Sequence, residues 1–183
     1  MKSIYYIVCL LFVVACNAQT DPSNTSNSKE EISIKSMTNF NVLSEEEQRV
    51  ILNKGTEYPG TSEFTDSEEK GTYICKQCNQ ALYTSDTKFN SHCGWPSFDD
   101  EIDEAVIRVP DADGRRTEII CSNCKGHLGH VFLGEGFTAK NTRHCVNGIS
   151  MNFVNGGEEL PEVIKPKEKD MSKLDTATFG AGC

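Results

Sequence analysis

Two short cysteine knuckles constrain this chain more than any other feature. Cys75-Lys76-Gln77-Cys78 and Cys121-Ser122-Asn123-Cys124 each put two thiols one tight turn apart. At that spacing both thiolates of a pair point at one ion. Two pairs supply the four sulfurs of a closed structural zinc site, with no position left for water or substrate. Between the knuckles lie 42 residues, positions 79 to 120, so an ion held by all four would clip together distant parts of the chain. The pattern predicts Zn2+ as a structural cofactor. Two local disulfides, or a redox dithiol at one knuckle, are the competing readings.

Neither end of the chain is core material. The opening MKSIYYIVCLLFVVACNAQ has Lys2 before an apolar run from Ile4 to Ala15, which is too short for a permanent membrane-spanning helix and reads as an export signal. Its close, VVAC, resembles the lipobox of bacterial lipoproteins. That likeness implies a signal over residues 1–15, acylation of Cys16 and a lipid anchor to a membrane of the bacterial cell envelope, facing the periplasm or the exterior. Ordinary cleavage after Ala18 and an uncleaved anchor are the alternatives; Cys9 leaves with a cleaved signal. Residues 16–37, rich in Ser, Asn and Thr, cannot build a core and read as a flexible tether. One folded domain is expected over 38–165, followed by a polar tail over 166–183 in which Cys183 is a bystander thiol. The formal net charge of -9 would repel a polyanion, so no nucleic-acid partner is expected.

Within the folded part, LSEEEQRVILNKG opens with Ser44 three residues before Glu47 and closes on Gly55, which predicts one short capped helix. After it come β-rich runs: TYIC, AVIRV, RTEII, HVFL and ISMNFV. AVIRVPDADGRRTEII is a hairpin candidate with Asp113 and Gly114 in its turn. The expected fold class is mainly β and antiparallel, with helix on the N-terminal side.

Of the nine cysteines, the knuckles take four and the ends three, leaving Cys93 and Cys145. Arg143 and His144 precede Cys145 and Asn147 follows it; a cation nearby favours thiolate, so Arg143 makes Cys145 a candidate nucleophile. The plain alternative is a buried cysteine acting as a small hydrophobe. His127 and His130, in GHLGHVF, are candidates for moving protons near neutral pH, or for structural hydrogen bonds.

Taken in order, KGTYICKQC, LYTSDTKFNSHCGWPSF, CSNCKGHLGHVF and TRHCVNGISMNF resemble the methionine sulfoxide reductase B family, the enzymes that reduce the R epimer of methionine sulfoxide. The resemblance covers residues 38 to 165, about seven tenths of the chain. The Gly-Cys-Phe-Trp signature of the A family is absent. The resemblance implies two twisted antiparallel sheets with a few short N-terminal helices, and zinc on Cys75, Cys78, Cys121 and Cys124. It implies that Cys145 attacks the sulfoxide and is left as a sulfenic acid. Arg143 would lower the pKa of Cys145, while His127, His130 and Asn147 would orient substrate and deliver protons. Trp95 would form the wall against the substrate methyl. His144 would help shape the pocket, and Phe132 and Phe98 would line it or pack in the core.

Cys93, directly before the Gly-Trp-Pro segment, would resolve the sulfenic acid as a Cys93–Cys145 disulfide, recycled by a thioredoxin-like reductant linked to the membrane. The substrate would be methionine sulfoxide in exposed or unfolded proteins. The sequence departs from the family at His92, where glycine is frequent, at Gly148, where serine is usual, and in LGEGFTAKN, so no role falls to His92 or Glu135. Two other readings remain: a zinc-stabilised binding module without chemistry, and a general thiol-disulfide oxidoreductase working through a knuckle.

Overall fold

The computed structural model describes residues 39–167. The signal and anchor expected at 1–16, the tether expected at 16–37, and the tail beyond residue 167 with Cys183 lie outside those residues. Helix α1, Glu45–Ile51, begins as its sequence predicts. The Ser44 hydroxyl accepts from the Glu47 N–H, and the Glu47 carboxylate accepts from the Ser44 N–H, a reciprocal cap that satisfies two donors the first turn leaves open. Val50 and Ile51 form its buried side.

Nine strands follow, all antiparallel, in two sheets. The smaller sheet is ordered β2 (Ala81–Thr84), β1 (Gly71–Cys75), β9 (Met151–Asn155). The larger is ordered β3 (Lys88–Phe89), β4 (Ser97–Phe98), β8 (Thr142–Val146), β7 (His127–Leu133), β6 (Thr117–Cys121), β5 (Val106–Pro110). The predicted hairpin is β5–β6, with Gly114 at φ 68° in its turn. Strands β2, β3, β4 and β8 are too short or too polar to stand out in the sequence, and β8 carries Cys145. The sheets meet through aromatic rings. Tyr83 of β2 stacks on Phe98 of β4 at 4.3 Å between centroids, and Tyr73 of β1 meets the same ring edge-on at 5.0 Å. Phe98 is therefore a core residue.

The two-residue period of a strand decides which side chains reach the site. Cys145 pairs with Ser97 on β4 and with His130 on β7, whereas His144 pairs with Phe98 and Val131. Cys145 and His144 thus face opposite sides of β8, and the expectation that His144 shapes the substrate pocket is corrected. Its ring is fully buried in the core, with Nδ1 3.0 Å from Tyr83 Oη and Nε2 3.1 Å from both Arg108 Nη2 and Glu101 Oε2. An arginine and a carboxylate at one nitrogen largely offset each other. Burial then decides, pushing the imidazole down to about 4.

A histidine whose folded pKa lies below its unfolded value binds fewer protons folded than unfolded, so its contribution is complete above about pH 6.5 and is lost as pH falls towards 4. His144 is expected to cost about 3 kcal/mol of stability across that window. Urea midpoints at about pH 7.5 and about pH 5 should diverge, and His144→Asn should flatten the difference. An equally steep fall in the variant would assign the acid sensitivity to carboxylates instead.

Candidate active site

The two knuckles are the same turn built twice. Cys75 and Cys121 each end a strand, and their carbonyls accept from the N–H of Asn79 and Lys125, both at φ 64°. Their own N–H groups donate to the carbonyls of Gln80 and Gly126. One knuckle belongs to the smaller sheet and the other to the larger, and they meet with Sγ separations of 3.5 Å (Cys75 to Cys124) and 3.6 Å (Cys78 to Cys121). All four sulfurs lie within 4.8 Å of one another. These distances exceed the roughly 2.05 Å of a disulfide and are close to the roughly 3.8 Å edge of a tetrahedron with about 2.3 Å zinc–sulfur bonds. Four thiols in contact, three of them buried and Cys124 partly so, cannot all ionise without a cation among them, so the donor set fits a structural metal ion.

Cys93 and Trp95 precede β4, which starts at Ser97, while Arg143 and Cys145 lie on β8 and Asn147 directly follows it. Cys93 Sγ lies 3.7 Å from Cys145 Sγ, so a disulfide of about 2.05 Å needs an approach of about 1.7 Å and no loop rearrangement. The surroundings of the two sulfurs differ. Cys93 has Ser91 Oγ at 3.0 Å, Arg143 Nη1 at 3.5 Å, Ser97 Oγ at 3.7 Å and the Trp95 carbonyl at 3.6 Å. Its thiol is drawn down to about 4, first by the hydrogen bond from Cys145 and then, against the cost of burial, by Ser91. Cys145 moves up, because it keeps the proton it donates to Cys93 and because it is buried; Arg143 opposes both effects.

Arg143 is held by a residue with no role expected from the sequence. Glu135 accepts from Nε at 2.7 Å and from Nη2 at 2.8 Å, while the guanidinium lies 4.5 Å from the Phe132 ring centroid. The Nη1 left over is the one that meets Cys93. Arg143 thus donates to Cys93 at 3.5 Å and also draws the Cys145 thiol down.

Trp95, His130, Phe132, Cys145 and Asn147 line one cavity of about 120 Å³ together with Thr56, Arg116 and Gly129. That is well below the roughly 300 Å³ at which drug-sized ligand sites begin, and suits the end of one side chain. Gly129 lets β7 approach β8 here: a Cβ would sit 2.0 Å from the Cys145 carbonyl oxygen. The same stretch carries a bulge, since β6 pairs Ile119 with Gly129 and Ile120 with His127, passing over Leu128. Residues three apart normally face opposite sides of a strand, and the extra residue lets His127 and His130 meet edge to face at 5.6 Å.

Only His130 reaches the cavity. His127 lies behind it, its Nδ1 2.7 Å from Glu118, which Lys54 approaches from the other side at 2.8 Å. Burial lowers the pKa of His127 despite Glu118. His130 Nε2 is hydrogen-bonded to Asp111, a partner with no sequence signal, and that bond holds the Asp111 carboxyl below its usual range. The segment carrying Glu57 has no sequence signal either. The Trp95 indole donates to the Glu57 carbonyl at 3.0 Å, Asn147 Oδ1 accepts from the Glu57 N–H at 2.8 Å, and the Glu57 carboxylate accepts from the Gly148 N–H at 2.7 Å. At Gly148 a Cβ would lie 1.8 Å from Ser62 Oγ, so Ser62 occupies the space a side chain there would need. His92 sits at φ 57°, a conformation that explains why glycine suits the position.

Two thiols in contact beneath a small aromatic-walled cavity, on a sheet clipped to its neighbour by a four-sulfur knot, define a thiol-dependent redox enzyme. A SelR domain matches residues 43–155. Peptide methionine sulfoxide reductase B3 of Arabidopsis thaliana is 52% identical over 120 residues, covering 65% of this chain and 68% of that protein. The chloroplastic B3 protein of Oryza sativa subsp. japonica is 53% identical over 119 residues, 64% of this chain and 52% of its own. Peptide methionine sulfoxide reductase B7 of Arabidopsis thaliana is 54% identical over 117 residues, 63% of this chain and 81% of its own. The matches thus span from about half to about four fifths of these relatives. The chain belongs to the SelR domain family, that of the methionine sulfoxide reductases B.

Proposed function

We propose that the protein reduces the R epimer of methionine sulfoxide in proteins, with Cys145 as nucleophile and Cys93 as resolving thiol. One observation carries the reading: Cys145 lines the cavity with Trp95, His130, Phe132 and Asn147, and Cys93 stands 3.7 Å from it. Cys145 attacks the sulfoxide sulfur and gives up its proton, for which the Cys93 sulfur is the adjacent acceptor. The S–O bond breaks, methionine leaves, and the oxygen remains on Cys145 as a sulfenic acid. His130, backed by Asp111 and His127, serves the oxygen's proton traffic. Trp95, fixed by its bond to the Glu57 carbonyl, is the wall against which the methyl group is sorted from the oxygen. Cys93 then attacks Cys145, a disulfide forms and water leaves.

Zinc on Cys75, Cys78, Cys121 and Cys124 supplies structure and takes no part in these steps. A thioredoxin-like dithiol, linked to the membrane, reopens the disulfide. The VVAC sequence supports acylation at Cys16 and a place in the bacterial envelope, where a tethered enzyme repairs neighbouring proteins.

The test is mass spectrometry of the reduced protein after one equivalent of an R-sulfoxide peptide. The expected product has lost the mass of two hydrogens and carries a Cys93–Cys145 bond, and the S epimer leaves both thiols intact. A persistent sulfenic acid, or a bond to Cys183, overturns the resolving role of Cys93. Intact thiols with both epimers favour the binding-module reading.

A further inference from the structure

A disulfide between Cys93 and Cys145 offers an incoming thiolate two sulfurs, and the choice decides which cysteine leaves. Exchange is a displacement at one sulfur, and the sulfur better supported as a thiolate departs faster. The cavity reaches Cys145, and Cys93 is not among the residues lining it. On the far side, Cys93 is cradled by Ser91 Oγ at 3.0 Å, Arg143 Nη1 at 3.5 Å and Ser97 Oγ at 3.7 Å. The cradle is itself braced: Ser91 Oγ and Ser97 Oγ are 2.7 Å apart, and Glu135 takes two hydrogen bonds from Arg143. The Ser91 hydroxyl donates to that sulfur and a fixed guanidinium stands beside it, and both favour its anionic form.

We propose that reduction runs in one direction: the reductant's thiolate enters through the substrate cavity, attacks Sγ of Cys145, and expels Cys93 into the cradle of Ser91, Ser97 and Arg143. A bond forms between the reductant's sulfur and Cys145 as the Cys93–Cys145 bond breaks, and the electron pair leaves on Cys93. The reductant's second thiol then displaces Cys145, which takes up the proton that thiol gives off. Ser91, Ser97 and Glu135 are positioning residues for the half of the cycle that never meets methionine. One cavity serves both half-reactions, so sulfoxide and reductant take turns in it.

The inference rests on the disulfide cycle proposed above, and its test separates the two. The protein is first oxidised with one equivalent of an R-sulfoxide peptide, and thiol titration verifies the bond; failure at this stage counts against the cycle. The disulfide form is then exposed briefly to glutathione, quenched with excess N-ethylmaleimide and mapped by peptide mass spectrometry. Glutathione on Cys145 with maleimide on Cys93 is expected, at roughly tenfold excess over the reverse arrangement, because the thiol better supported as a thiolate leaves faster. Equal amounts, or glutathione on Cys93, overturn the proposal. Ser91→Ala should narrow the ratio by roughly threefold, since one of the supports of the leaving thiolate is gone, and Ser91→Thr should restore it. Circular dichroism checks that the oxidised variant is folded, because unfolded molecules would react at either sulfur and narrow the ratio without the cradle. An unchanged ratio in Ser91→Ala removes the cradle as the cause.

Discussion

Cys145→Ser should abolish reduction of an R-sulfoxide peptide with dithiothreitol, by roughly 10³-fold or more, the scale on which deleting a nucleophile acts. A serine hydroxyl at Cys145 would be far less nucleophilic than a thiolate, and it cannot take the oxygen in a form that a neighbouring thiol reduces. Ser97 and Cys93 remain in place beside it, so the cavity keeps its shape. The thermal midpoint should stay within a few degrees, as expected of a near-isosteric change. Cys93→Ser should behave differently. The cavity face of Cys145 is unaltered, so about one methionine per enzyme should still form, after which the sulfenic acid has no neighbour to resolve it and turnover with a protein dithiol stops. The pair of results separates attack from resolution. If Cys145→Ser keeps full activity while Cys93→Ser loses even the first turnover, the two roles are reversed. That outcome is a real alternative, because Arg143 and Ser91 favour charge on Cys93.

What the sequence disclosed was what depends on neighbours along the chain. The knuckles, the Ser44–Glu47 cap and the β5–β6 hairpin are each written within a few residues, and each has the structure its pattern predicts. The resemblance added the residues meeting across β4, β7 and β8, although two of those strands have no clear hydrophobic pattern. Relations set by strand register were hidden. His144 and Cys145 are adjacent in sequence and lie on opposite faces of β8, so closeness along the chain misled. His127 and His130 have the wrong spacing to share one strand face, and only the bulge at Leu128 brings them together. Asp111, Glu57, Ser91 and Glu135 carry no signal of their own. Each acts by holding a functional side chain from a loop: Asp111 on His130, Glu57 on Trp95 and Asn147, Ser91 on Cys93, Glu135 on Arg143. Polar loop residues look alike until the fold gives them partners.

If the four-sulfur knot holds zinc as proposed, removing the ion should cost more stability than any single core substitution. The knot joins the end of β1 in one sheet to the end of β6 in the other, and chain segments from both flanks are fastened to it. Asn41 is bonded to the Lys76 and Gln77 carbonyls, and Ile164 donates to the Cys78 carbonyl and accepts from Asn123. Without an ion the four sulfurs lose their common partner, and buried thiolates in contact must be protonated or move apart. The ion also closes a loop of 42 intervening residues, an ordering the unfolded chain otherwise resists. Structural zinc in small domains contributes on the order of 10 kcal/mol, so a loss of about 5 kcal/mol, or roughly 15 °C in Tm, is a conservative expectation for this domain. The measurement is calorimetry before and after chelation, with released zinc counted by a colorimetric dye at one ion per chain. Cys78→Ser should show the same loss without chelator and should bind no zinc. Were Cys78→Ser to keep its thermal midpoint while losing thiol-disulfide exchange, the knuckle would be a redox dithiol and the structural role would fall. Because the four knot cysteines are not among the residues lining the cavity of Cys145, activity should fall with the folded fraction and in step with it; a folded, metal-free protein with no turnover would instead place the ion in the chemistry.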